Sequence, residues 1–281
     1  YLRTDGLALR LVPAASHSYG GTEPLNTEAM YQNLMNEPDH GYTDAHYGFR
    51  FRELNNPHMY MDEVHRRLLG TYRQGFLTLA MNYIYQQKQD YAKADSVLNM
   101  MNKKIPHEVF PMQYELLYQT SILYQTVGDT ANFMKLSGYG IAACKELADN
   151  TNLRQFIDQR YLPYELMLDL YEKRGDYSSG IDLLNSILPQ AQGDAKQQSI
   201  IQQKIYQFQI KDLEKQGKYN DALNIAQKGL ASIGNGTDQN SMMGRQIFGQ
   251  AIAELRIKAG LPPQQDTATP AAKPSGLQIT Q

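Results

Sequence analysis

Asp62, Glu63 and His65 stand together in MYMDEVHRRL. Asp62 and His65 are three positions apart, so on a helix they share a face. That spacing offers two metal ligands, or the base of a small hydrolase beside neighbouring arginines. Acidic residues also favour helix N-termini because of the helix dipole, and this structural reading is preferred. His40 and His46, with Asp39 and Asp44 near them, are the second place where ligand-type side chains gather. No HExxH and no dense His/Cys cluster occurs, so neither a metal nor a cofactor is expected. Glu165 and Asp169 have the i, i+4 spacing of an acid–base pair. With Glu172, Lys173 and Arg174 following, a solvated helix face is the simpler reading. Arg50, Arg52, Arg66, Arg67 and Arg73 concentrate guanidinium groups. They suit a phosphate or carboxylate held bidentately, or pairing with Glu53, Asp62 and Glu63 to fix an N-terminal cap. The structural role stands first, and the five arginines remain the preferred ligand patch. GxSxG, GxxxxGK[ST] and GxGxxG are absent, so nucleophile-elbow and phosphate-loop chemistry have no carrier.

Helices must position these groups, and the helices come in a recurring grammar. A helix ends in polar residues, a Gly-Asp-Tyr-like turn follows, and a second apolar helix begins. The turns are Gln89-Asp90-Tyr91, Gly128-Asp129-Thr130, Gly175-Asp176-Tyr177 and Gly217-Lys218-Tyr219. They lie 39, 47 and 42 residues apart, longer than the tetratricopeptide period of about 34. In the first unit Ala94, Leu98 and Met101 line one helical face and Pro106 closes it. Ala222 and Gly180 are the small residues at the same offset in the fourth and third units. Phe133 occupies it in the second, which predicts a splayed pair or a shifted register. The spacing predicts helices over 61–88, 91–103, 113–127, 130–147, 153–174, 177–188, 195–216, 219–232 and 241–259. The last caps the open end.

The expected fold is therefore all-α, a tetratricopeptide-like helical-hairpin solenoid of about four repeats plus a capping helix. Residues 1–60 form an irregular cap, 61–260 the solenoid and 261–281 a disordered tail, poor in large apolar residues. Within the cap, Leu7–Val12 reads as a strand and TEAMYQNLMN as a short helix capped by Asn26 or Thr27. Tyr47, Phe49 and Phe51 alternate with polar or small residues, as in a strand or an extended arm packed on one side. Asn235-Gly236-Thr237 reads as a turn. A stack of this kind presents one face of each first helix to a groove. The register places Phe76, Leu79, Tyr83 and Gln86 there, then Tyr118, Ile122 and Gln125, then Glu165 and Asp169, then Gln207 and Lys211. These residues do not match a carboxylate clamp of Lys and Asn. The early aromatic row can equally pack against the N-terminal cap.

Composition sets the outer limits. The 281 residues are 42% hydrophobic and 20% charged, enough to bury a core in one or two domains. A net charge of −2 without clustered basic residues argues against nucleic acid as a partner. Twenty Tyr and no Trp suit half-buried aromatic positions. Cys144 is the only cysteine, so no internal disulfide forms. Its apolar setting, Ile141–Leu147, makes it a small core residue. No stretch is apolar for long enough to span a membrane, and none has the pattern of a signal peptide. The chain begins YLRTDGLALRLVP without Met, which suggests a piece processed or cut from something longer.

Taken in order, YLRTDGLALRLVP, TEAMYQNLMNE, FRELNNPHMYMDEVHRRL and YRQGFLTLA resemble a bacterial membrane-protein family of unknown function. That family is related to protein O-mannosyltransferases and classed with GT-C glycosyltransferases. The matching residues are Gly6-Leu7-Ala8, Arg10-Leu11-Val12-Pro13, Met30-Tyr31, Asn33-Leu34-Met35-Asn36, Tyr60, Asp62-Glu63 and Arg66 or Arg67. The match covers residues 1–106; beyond that it rests on generic tetratricopeptide features. The resemblance implies a multi-pass membrane part upstream that carries the catalysis, and a soluble helical-repeat region on the extracytoplasmic, periplasmic side. No catalytic residue carries over, because the matching positions lie outside the membrane domain. The expected function is non-catalytic binding or positioning of an acceptor protein, a partner or the chain's own membrane domain. Contact with the membrane would come only through the upstream region. The alternative is a free-standing tetratricopeptide scaffold or adaptor, which a signal peptide directly before Tyr1 would favour.

Overall fold

The turns between helices follow a two-residue code. The computed structural model describes residues 2–5, 7–11, 24–37, 48–86, 89–149, 163–233 and 238–262. Gly128, Gly175, Gly217 and Gly260 have φ of 88°, 66°, 73° and 70°, a left-handed conformation that glycine adopts without a Cβ penalty. Each closes a Schellman motif. Gly128 N–H donates to the Gln125 carbonyl and Asp129 N–H to that of Tyr124. The same two bonds recur at Gly175-Asp176, Gly217-Lys218 and Gly260-Leu261. In two of these turns, and after Gln89 with φ 57°, the next helix is capped by an aspartate. Asp90, Asp129 and Asp176 accept from the backbone N–H of Lys93, Asn132 and Ser179 at 3.1, 3.0 and 3.4 Å.

These signals delimit β1 (Leu2–Asp5), β2 (Ala8–Leu11), α1 (Thr27–Met35), α2 (Glu63–Tyr85), α3 (Tyr91–Lys104), α4 (Tyr114–Val127) and α5 (Thr130–Asp149). They are followed by α6 (Pro163–Arg174), α7 (Tyr177–Ile187), α8 (Ala195–Lys215), α9 (Tyr219–Ile233) and α10 (Gln239–Lys258). The fold is all-α and of the helical-hairpin solenoid class, with one small sheet among the described residues. The helices match the sequence-based spans to within a few residues. The exception is α6, which begins at Pro163; residues 153–162 of its predicted span lie outside the described residues. Contacts divide the chain into two compact units, Tyr1–Leu170 and Tyr171–Gln281, with the boundary inside α6.

In the first unit α1, α2, α3, α4 and α5 pack each on the next. Phe76, Leu77, Leu98 and Tyr124 are fully buried in its core. The strand read over Leu7–Val12 is β2, paired antiparallel with β1 in the register Leu2↔Leu11 and Asp5↔Ala8. Its alternation does not bury Leu9, which is 54% exposed. Leu7, in the hairpin turn, packs against α2 at Gly75, where Leu34 of α1 also arrives. Gly48–Phe51 form no strand; they are an extended arm. Phe49 N–H donates to the Asn33 carbonyl at 2.7 Å, and Phe49 and Phe51 both meet the Tyr72 ring edge-on.

In the second unit α7, α8, α9 and α10 pack in sequence. Here glycines let helices approach closely. A Cβ on Gly180 would stand 2.2 Å from Phe208 of α8, and one on Gly229 would stand 2.4 Å from Phe248 of α10. The first unit holds a milder case. Gly140 of α5 faces Leu170 of α6 and the α4 backbone at Tyr118. Of the two alternatives left open by Phe133, the shifted register holds. The second pair is not splayed: Phe133 is buried in the core, and the small residue lies two turns later, at Gly140.

Candidate interaction surface

Three residues of the α2 row are packed inside. Phe76 and Leu79 are wholly buried and Tyr83 is 5% exposed. The Phe51 ring lies on Phe76 at 5.7 Å, and the Lys93 ammonium stands 5.5 Å from the Tyr83 ring centre. At this helix the groove position is therefore filled, because the arm Gly48–Phe51 and α1 cover it. Gln86, at the end of α2, is exposed and accepts from Asn82 Nδ2 at 2.9 Å. Beyond its exposed first turns, residues 63–68, the residues of α2 that face outward are Thr71, Gln74 and Tyr85. Their spacing is also helical, so periodicity alone does not separate the two rows.

On α4 and α6 the register places residues together. Tyr118 is half-buried, and its hydroxyl donates to Asp169 Oδ2 at 2.9 Å. Ile122 is half-buried and Gln125 exposed on the same α4 face; Glu165 is exposed one turn before Asp169. In the second unit Lys211 of α8 pairs with Glu172 of α6, and Lys215 Nζ donates to the Gly175 carbonyl at 2.7 Å. Sequence reasoning missed the Lys211–Glu172 pair, because the two residues stand 39 positions apart on different helices. Asp169 Oδ2 is engaged by Tyr118, while Glu165, one turn earlier, is exposed.

The five arginines serve different ends. Arg73 is 3% exposed. Its guanidinium donates to the carbonyls of Ile105, Pro106 and Phe110, at 3.1 Å for the first. Burial lowers its pKa to about 10, so it stays cationic and closes the α3–α4 loop. It is thereby removed from the ligand patch. Arg50 lies near Glu37. Burial raises the Glu37 carboxyl, but the Lys104 hydrogen bond, the Phe51 N–H and the Lys104 and Arg50 charges outweigh it and set it below its ordinary value. Arg52, Arg66 and Arg67 are exposed.

Asp62 is the N-cap of α2, accepting from His65 N–H at 2.8 Å and meeting His65 Nδ1 at 2.7 Å. Both side chains are exposed. Among the described residues, no three His, Cys, Asp or Glu side chains gather as metal ligands. His40, His46, Asp39 and Asp44 lie outside the described residues, as do Asn235-Gly236-Thr237 and 263–281 of the tail. Cys144 is wholly buried, and burial, then Glu115, push its thiol up to about 12. A cleft of about 400 Å³ opens beside it, lined by Gln113, Tyr114, Glu115, Ala143, Glu146 and Leu147. Among the described residues, no helix is long and apolar enough to cross a membrane. Comparison with family models, curated proteins and solved structures found no match.

Proposed function

We propose that this chain is a non-catalytic interaction and positioning domain of a membrane glycosyltransferase-like protein, lying on the extracytoplasmic side. It would hold an acceptor protein, a partner or the membrane domain of its own chain. One observation supports this reading above the others. The segments that resemble the family are far apart in sequence yet meet in one cluster: Leu7 from the β-hairpin and Leu34 from α1 against Gly75 of α2, beside Phe51 on Phe76. Residues that resemble a family by recurring together have a physical reason to do so when they pack on one another. The candidate binding face is the α4–α6 row of Tyr118, Ile122, Gln125, Glu165 and Asp169. Its mixture of rings, amides and carboxylates suits a polypeptide.

The test uses residues 1–281 alone with lipid-linked sugar donors and acceptor peptides. No turnover is expected. Glycosyl transfer by this chain would overturn the non-catalytic reading.

A further inference from the structure

Asp95 of α3 faces the start of α5, and its two oxygens have different surroundings. Oδ2 accepts from Asn99 Nδ2 at 3.0 Å. Oδ1 is enclosed, and among the described residues no N–H or O–H donor reaches it. The Asp129 carboxylate stands within hydrogen-bonding reach. Asp129 is held as an anion: it accepts from Asn132 N–H at 3.0 Å and from Asn132 Nδ2 at 2.6 Å. Asn132 Nδ2 also donates to Asn99 Oδ1 at 2.9 Å, which accepts from the Tyr124 hydroxyl of α4 at 3.3 Å. Helices α3, α4 and α5 thus meet in one polar knot.

The charged groups around the knot decide which of its carboxyls holds a proton more readily. Asp129 is the charge that acts on Asp95, and no titratable group of α2, packed on the other side of α3, does so. Lys93 of α3 is paired with Asp90 at 3.3 Å, and Lys135 of α5 with Glu108 at 2.6 Å. Burial, then Asp129 and Asp95, raise the Tyr124 phenol, which stays a neutral donor that Asn102 also touches. Two carboxylates this close do not both ionise without a large penalty.

We propose that Asp95 and Asp129 share one proton, carried on Asp95 Oδ1 and donated to Asp129, and that it latches the α2–α3 hairpin to the α4–α5 hairpin. Burial and then the Asp129 charge raise the Asp95 carboxyl above its ordinary 3.8. Burial also raises Asp129, but the bonds from Asn132 and Asn99 outweigh it and hold Asp129 below 3.8. Folded Asp95 keeps its proton better than the unfolded chain does. The latch is therefore engaged between the folded Asp129 value, below 3.8, and the folded Asp95 value, above it; it is lost as pH rises through the second and, with Asp129 protonated, as pH falls through the first.

Carboxyl carbon NMR on the 281-residue chain should place Asp95 above 3.8 and Asp129 below it. Asp95→Asn puts an amide donor where the acid proton sits, at every pH. Its Tm should exceed that of the natural chain near about pH 7 and converge with it near about pH 4. Parallel Tm–pH curves, or Asp95 titrating at or below 3.8, overturn the latch. Asp129→Asn gives a second readout. The Asp95 pKa should then fall back toward 3.8, and an unmoved value shows that no proton is shared.

Discussion

Arg73 and His107 organise the loop between α3 and α4 in complementary ways. Arg73 gathers three carbonyls of this loop, those of Ile105, Pro106 and Phe110; that of Pro106 also accepts from the Val109 and Phe110 N–H groups. Arg73→Met keeps the stem and removes the donors, so it should cost about 3 kcal/mol of stability, readable in urea unfolding. His107 Nδ1 accepts from Met112 N–H at 3.0 Å, a bond only the neutral ring makes. Burial sets its pKa below the ordinary 6.5; Glu108 pulls the other way, and Arg73 and Lys135 assist the lowering. Its contribution is present above 6.5 and is lost as pH falls through the folded value. Melts of the natural chain should show this decline, whereas His107→Phe, which retains a ring against Tyr139, should not. None of this was legible in the sequence, where Arg73 looked like one of five equivalent cations. Only the fold distinguishes a guanidinium under a loop from one in water.

At the scale of elements, the glycines divide sharply by what stands opposite them. Gly180→Ala forces a Cβ into the Phe208 ring and should cost about 1–3 kcal/mol. Gly249→Ala, in α10 with nothing within 4 Å of the added carbon, should instead gain about 0.5–1 kcal/mol. Paired thermal melts of the two variants should move in opposite directions. The helices and turns were legible because their signals are local: a residue with positive φ, then an aspartate cap. The identity of the covering neighbour was not. Phe76, Leu79 and Tyr83 have the spacing of an open row, but the arm that buries them comes from well upstream in the chain. Tyr118 and Asp169 were legible only as members of two separate helix rows, and the fold shows that they touch. The offset that singled out Ala94 and Ala222 failed at Phe133, because α4 and α5 approach closest at Gly140.

The whole molecule is two compact units, and its stability should follow that division. Leu98, wholly buried in the first core, should cost about 2–5 kcal/mol when changed to Ala. Hydrogen exchange should then quicken across α2–α5 and leave α8–α10 unchanged, as expected when contacts are mainly between neighbours. Uniform acceleration along the chain would show a single cooperative body instead. The lone thiol provides a further instrument. Cys144 is enclosed and stays protonated at neutral pH, and the chain contains no Trp. The protein is thus a blank background for spectroscopy. Cysteines introduced at exposed Gln125 and Glu254 will take a donor and an acceptor dye without competition, and energy transfer between them will measure the distance between the two labelled positions.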